Sequence, residues 1–131
     1  MTPLYESRTQ ADLAAEKLKV FAQPQRLMVL SLLLARGEQN VSEIDAATRI
    51  GQPALSQQLA ELRKAGMVTT RRQAKQVYYR LADAGTTLCV RSLEAIFGEG
   101  AGSALPGLHT QAETMGIDVP PSAAGFARTF G

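Results

Sequence analysis

The residues of this sequence that are best suited to chemistry are small or polar side chains that could contact the edges of nucleic-acid bases. They begin a segment that carries Leu55, Leu59 and Leu62 at helical spacing, and they lie beside or opposite those leucines. The five are Gln52, Ala54, Ser56, Gln57 and Gln58. In the major groove of DNA, glutamine could bond the N7/N6 edge of adenine, serine a phosphate or base edge, and alanine a thymine methyl. The alternative is a polar helix face that contacts only solvent.

Basic side chains follow immediately in the sequence. Residues 61–80 hold six lysines and arginines against one acid, a formal charge of +5 within a chain of net charge +2. Such a concentrated basic stretch is typical of a surface that binds nucleic acid. Arg71, Arg72 and Lys75 are predicted to flank a hairpin tip, where they could reach the minor groove or backbone phosphates. Charged protection of an edge strand is the other interpretation of these three.

Residue types that would support catalysis or metal binding are scarce. The chain has one cysteine, Cys89, and one histidine, His109, and it has no glycine-rich phosphate loop. One cysteine excludes an internal disulfide framework and a multi-thiolate metal cage within one chain. We therefore expect no catalytic set, no metal site and no cofactor, and we do not expect an enzyme.

Two helices precede the candidate residues. Residues 9–21 fit one amphipathic helix, which Gln23-Pro24 breaks. Pro24 can occupy the first turn of a second helix that stops at Gly37. Because this second helix is apolar nearly all round, we expect it at the centre of the core.

Two predicted helices then flank a tight turn. Ser42, with Asp45 three residues later, predicts the start of a short helix over Glu43–Thr48. The turn at 49–52 contains a glycine, and another helix follows from near Pro53 to a glycine stop at 65–66. Two helices joined by about four residues form a helix-turn-helix pattern.

A hairpin and a last helix complete the predicted domain. Met67–Arg72 and Gln76–Leu81 have strand composition and are separated by a short polar tip. Asp83 can cap a final helix that closes at Gly98. The predicted fold class is mainly α with a small β-hairpin, a dimeric winged helix-turn-helix in the order α-α-α-α-β-β-α.

The composition changes near the end of the chain. Residues 98–131 hold seven of the eleven glycines and three of the six prolines. We expect a winged-helix domain over 1–97, used for DNA binding and dimerisation, and a flexible Gly/Ala/Pro-rich tail over 98–131. No run of 18 apolar residues and no secretory signal is evident, so we expect a cytoplasmic protein without membrane contact.

The central sequence resembles a known family. Residues 50–81, IGQPALSQQLAELRKAGMVTTRRQAKQVYYRL, together with 18–30, LKVFAQPQRLMVL, are similar to the ArsR/SmtB family of bacterial winged-helix repressors. The similarity extends over roughly 10–97 and is closest to the branch of biofilm-growth repressors and haemolysin regulators. It implies a homodimer built on the first and last helices. It also implies binding to pseudo-palindromic double-stranded operator DNA and release by an inducer.

The sensing residues of the family are missing. Metal sensors carry paired cysteines in the short helix, where this chain has VSEI at 41–44, or Asp/His pairs along the last helix, where it has no histidine. At the places of the branch's redox cysteine pair stand Ser31 and Gly98. The inducer stays unknown. Cys89 is either a lone redox sensor or a packing residue. A winged helix that binds proteins, without specific DNA binding, is the alternative function.

Overall fold

The computed structural model describes residues 2–99. The predicted mainly α fold class with a small β-hairpin is confirmed, since these residues form five α-helices and a small antiparallel sheet. In chain order, after a 3-10 turn at Leu4–Glu6, the elements are α1 (Arg8–Phe21), α2 (Pro24–Arg36), β1 (Gln39–Asn40), α3 (Val41–Thr48), α4 (Ala54–Lys64), β2 (Val68–Gln73), β3 (Gln76–Leu81) and α5 (Ala84–Phe97). The chain divides into two units, Met1–Thr87 and Leu88–Gly131. The predicted tail lies outside the described residues from position 100 onward.

The first two helices begin and end where local signals predict. Ser7 Oγ accepts from the backbone N–H of Gln10 to cap α1, and Pro24 is the first residue of α2. Gly37, at φ +76°, ends α2 because that backbone conformation is disfavoured for other residues. No single described helix is long and apolar enough to cross a membrane, and α1 with α2 meets that criterion only as a pair bent by 91°.

The α2 helix buries one face and exposes another. Val29, Leu30 and Leu33 are buried, whereas Leu27 and Met28 are 37% and 45% exposed. The expectation of a central position agrees with these buried side chains and with the contacts of α2 with α1, α3, α4 and β3, although the side that carries Leu27 and Met28 is exposed.

The cap of α3 differs from the prediction. Asn40 Oδ1 accepts from the Glu43 N–H at 2.8 Å, and Glu43 Oε1 accepts from the Asn40 N–H at 2.9 Å. This reciprocal capping box starts the helix two residues before Glu43, so the predicted start at Ser42 is wrong. Asp45 instead closes the next turn, where its Oδ1 accepts from the N–H of Gly51 at 2.8 Å.

The core fixes α4 and the strands that follow it. Leu55, Leu59 and Leu62 are at most 2% exposed, and Met67 and Val68 are equally buried. After α4 the chain reverses at Gly66, and the N–H of Met67 donates to Leu62 O at 3.0 Å. The apolar side of α4 therefore faces inward, and its polar side is left for solvent or a partner.

The sheet has three strands in the order β1-β3-β2. In β2 and β3, the hairpin pairs Val68 with Leu81 and Gln73 with Gln76, so its tip is two residues long instead of the predicted three. We call residues 68–81 the wing. The two-residue strand β1 pairs with β3 through Gln39↔Tyr79 and Asn40↔Tyr78, and sequence patterning did not predict it.

The cap of α5 is confirmed. Asp83 Oδ1 accepts from the Thr86 N–H at 2.8 Å, and this hydrogen bond holds the pKa of the Asp83 carboxyl below its ordinary value. The helix closes where the N–H of Gly98 donates to Glu94 O at 2.9 Å.

Candidate nucleic-acid interface

The first turn of α4 is held by a side-chain cap. Gln52 Oε1 accepts from Ser56 N at 3.1 Å and from Ser56 Oγ at 2.6 Å. Both side chains are exposed. Because the oxygen of Gln52 is engaged, its amide Nε2 is the group left to donate to a further acceptor.

The outer side of α4 continues this polar surface. Gln57, Ala60 and Lys64 follow at spacings of three and four, so they lie on one side of the helix, opposite the buried leucines. Gln57 is exposed and makes no side-chain hydrogen bond to the rest of residues 2–99, and Ala54 is partly exposed at the first turn. We call Gln52, Ala54, Ser56 and Gln57 the reading surface.

Gln58 lies elsewhere, although the sequence grouped it with these residues. It is 9% exposed, and its Oε1 accepts from Arg26 Nε at 2.8 Å. Its Nε2 donates to Gln25 Oε1 at 3.4 Å, and Arg26 Nη1 donates to Val20 O at 3.4 Å. Gln58 therefore joins α4 to α2 and is not available to a base in this arrangement.

Arg71 is occupied by contacts within the protein. Its Nη2 and Nε donate to Glu38 at 2.6–3.2 Å, and its Nη1 donates to Gln73 Oε1 at 2.7 Å. The guanidinium carbon lies 4.9 Å from the centre of the Tyr78 ring, within cation–π range. Through the hydrogen bond between them, Arg71 lowers the pKa of the Glu38 carboxyl, and Glu38 raises the pKa of Arg71. Arg71 thus fastens the wing to the segment that precedes β1.

Besides Arg71, the exposed cations of the wing are Arg72, Lys75 and Arg80. Arg80 Nε donates to Thr69 Oγ1 at 3.3 Å, whereas Arg72 and Lys75 make no hydrogen bond or ion pair with another described side chain. Arg72 is opposite Val77, and Thr70 is opposite Tyr79, so Arg72 and Tyr79 share one face of the hairpin. Arg71 lies on the other face with Tyr78.

A cleft of about 450 Å³ lies between α4 and β3, next to the reading surface. Its lining residues are Val41, Ser56, Leu59, Ala60, Arg63, Lys64 and Tyr79. Arg63 and Lys64 belong to the basic stretch counted in the sequence, but local patterning does not reveal that α4 and Tyr79 of β3 line one cleft.

No metal centre or thiol pair is found among the described residues. Within residues 2–99, no three His, Cys, Asp or Glu side chains are grouped so as to hold a metal ion. Cys89 is a free, partly exposed thiol on α5. Ser31 and Gly98 stand on α2 and just after α5, and His109 lies outside the described residues.

Comparisons with known proteins place this geometry among regulators. The model of the arsR family of bacterial regulatory proteins matches residues 23–70. The biofilm growth-associated repressor of Agrobacterium fabrum is 48% identical over 95 residues, 72% of this chain and 80% of that protein. The transcriptional activator HlyU of Vibrio cholerae is 34% identical over 94 residues, 72% of this chain and 86% of that protein. The crystal structure of the repressor BigR from Xylella fastidiosa superposes with a TM-score of 0.66 at 41% identity, over 73% of this chain and 97% of that chain.

Proposed function

Because this chain belongs to the ArsR family of bacterial regulatory proteins, we propose that it represses transcription by reading an operator with α4 and holding the DNA backbone with the wing. It is a DNA-binding transcriptional regulator, as its relatives are. The family consists of regulators and not of enzymes, and the predicted family resemblance is confirmed.

The reading surface contacts base edges in the major groove. With 11 residues, α4 is about 16 Å long, which suits a groove about 12 Å wide. Gln57 is the best placed to bond adenine through both ends of its amide, and such a pair discriminates by about 1–3 kcal/mol. The exposure of Gln57, together with the exposure of Arg72 and Lys75, which contact no other described side chain through a hydrogen bond or ion pair, is the observation that carries this proposal.

The wing supplies affinity through the DNA backbone. Arg72 and Lys75 are exposed and have no carboxylate partner among residues 2–99, so neutralising phosphates breaks no ion pair within that part of the chain. Arg71 contributes less, because Glu38 already accepts hydrogen bonds from it. We do not include Gln58 among the base-contacting residues, because it is buried and accepts a hydrogen bond from Arg26.

Two copies of the chain bind the operator together. We assign the contacts between them to α1 and α5, each of which exposes large apolar side chains. A two-fold dimer presents two α4 helices to two half-sites, as a pseudo-palindromic operator requires. An inducer then releases the dimer from DNA.

Titration against DNA from upstream of the chain's own gene tests this function. We expect specific binding whose log K falls against log salt with a slope of about −0.9 per phosphate neutralised. Gln57→Ala should relax the preference at particular base pairs, whereas Arg72→Ala should weaken binding to all sequences alike. Weak, sequence-blind binding by the wild type would contradict the proposal and favour a protein-interaction module. Identical effects of the two variants would contradict the division between reading and anchoring.

A further inference from the structure

The cleft between α4 and β3 has the chemistry of an anion site. Arg63 and Lys64 are exposed and make no hydrogen bond or ion pair with other side chains of residues 2–99. Tyr79 adds a hydroxyl group that can donate a hydrogen bond, the Ser56 hydroxyl already donates to Gln52 Oε1, and no carboxylate lines the cleft. Val41 and Leu59 give it an apolar floor, and Ala60 leaves room for a group to approach. An anion in this cleft meets two cations and no repelling charge.

The position of the cleft identifies which anion. One wall is α4, which carries the reading surface, and the other is β3 of the wing. If α4 enters the major groove and the wing tip reaches the adjacent minor groove, the sugar-phosphate strand that separates the two grooves must pass between them.

We infer that this cleft receives a backbone phosphate of that strand, held by Arg63 and Lys64. The inference rests on the proposed function and adds to it a contact that neither the reading surface nor the wing cations supply. Arg72 lies on the same face of the hairpin as Tyr79, so the cations of α4 and of the wing approach one strand from its two sides. The cleft thereby fixes how deeply α4 sits in the groove, because it sets the distance between helix and backbone.

Arg63→Gln, compared with Arg36→Gln, tests the assignment. Each variant loses one positive charge per chain, but Arg36 is an exposed residue in the last turn of α2 and does not line the cleft. Because two chains bind the operator, at 0.1 M salt we expect Arg63→Gln to weaken binding about tenfold or more for all operator sequences and to reduce the salt slope by about 1.8, which is about 0.9 per half-site. Arg36→Gln should change neither quantity appreciably. Both variants are compared at protein concentrations where sedimentation shows the same assembly as the wild type.

A modified operator gives a second, independent readout. Neutral methylphosphonates are placed one at a time along each strand. At one phosphate of each half-site, flanked by the two grooves, the substitution should weaken the wild type but have little further effect on Arg63→Gln. Equal salt slopes for Arg63→Gln and Arg36→Gln, or additive losses at every phosphate, would overturn the inference. Those results are distinct from failure of the proposed function, in which the wild type itself shows no specific binding.

Discussion

Two adjacent glutamines on α4 have different environments because a helix turns by about 100° per residue. Gln57 faces solvent, whereas Gln58 lies at the edge of the leucine face and accepts a hydrogen bond from Arg26. Arg26 in turn donates to Val20 O near the end of α1. Gln58 thus connects α4 to α2 and, through Arg26, to the end of α1, and we expect these hydrogen bonds to help orient α4 and Gln57.

Replacing Gln58 should therefore destabilise the fold, whereas replacing Gln57 should not. Gln58→Ala removes a partly buried hydrogen bond to a charged group, and we expect the free energy of unfolding to fall by about 1.5–3 kcal/mol. The matched variant Gln57→Ala should stay within about 0.5 kcal/mol of the wild type. Urea unfolding followed by circular dichroism measures both.

A double-mutant cycle separates this link from general loss of packing. If Gln58 acts through Arg26, the losses in Gln58→Ala and Arg26→Ala will not add in the double variant. Additive losses, or equal stability of the Gln57 and Gln58 variants, would remove Gln58 from this role.

At the level of single residues, the sequence predicted which side of α4 is exposed but not where that side ends. Leucines at 55, 59 and 62 indicate which side of α4 is buried, and this places Gln52, Ser56 and Gln57 correctly outside the core. Position 58 lies at the boundary of that side, where a polar residue type predicts exposure. Its partner Arg26 is 32 residues away in sequence, so no local pattern could reveal the contact.

Among the elements, the wing depends on a contact outside the hairpin. Besides the two residue pairs of β1 with β3, the ion pair of Glu38 with Arg71 connects the wing to the end of α2. Arg71 also lies over Tyr78, so one guanidinium joins both strands of the hairpin to the preceding segment. This arrangement holds the wing against residues 38–40, which connect α2 to α3.

The lowered pKa of Glu38 predicts how the wing responds to acid. Its folded-state pKa lies below the ordinary value of 4.5 because Arg71 donates to the carboxylate. The contribution to stability is therefore fully present above about pH 4.5 and is lost as the pH falls through the lowered pKa. An NMR titration should show the ring resonances of Tyr78 shifting with a midpoint below 4.5.

Glu38→Gln is the control for this titration. It keeps the size of the side chain but cannot ionise, so the acid transition of Tyr78 should be absent. A transition with the same midpoint in Glu38→Gln would show that another group causes it, and the ion pair would then not govern the wing.

Element boundaries were predictable where the signal is local. Pro24 at the start of α2, Gly37 at its end and Asp83 at the start of α5 act within one turn, and all three are in the expected places. The start of α3 was mistaken because Asn40 and Ser42 are both good capping residues. The choice between them is made by Glu43, three residues after Asn40, together with the pairing of Asn40 with Tyr78. That strand pair joins segments far apart in sequence, and two residues are too few to show a strand pattern.

For the whole molecule, the distribution of exposed apolar side chains bears on assembly. Among the described residues, nine large hydrophobic side chains are exposed, and seven of them lie before or on α1 or on α5. These seven are Leu4, Tyr5, Leu13, Leu18, Leu88, Ile96 and Phe97. Only Leu27 and Met28 lie elsewhere. Exposed apolar side chains concentrated in this way are expected where a second copy of the chain covers α1 and α5.

Charged substitutions on these helices should therefore dissociate the protein into monomers. Leu13 on α1 and Leu88 on α5 are 62% and 63% exposed, so glutamate at either position should leave the fold of one chain largely intact. Burial of a leucine contributes about 1.5–3 kcal/mol, and a two-fold interface contains each residue twice. We expect Leu13→Glu and Leu88→Glu each to weaken dimerisation about a hundredfold or more, as measured by sedimentation equilibrium, with unchanged helix content.

Met28→Glu is the control, because Met28 is 45% exposed but lies on α2. The dissociated variants should also lose most of their affinity for the full operator, since one chain contacts one half-site. If both variants remain dimers at the concentrations where Met28→Glu does, α1 and α5 do not form the interface, and the two-fold operator complex must be built on another surface.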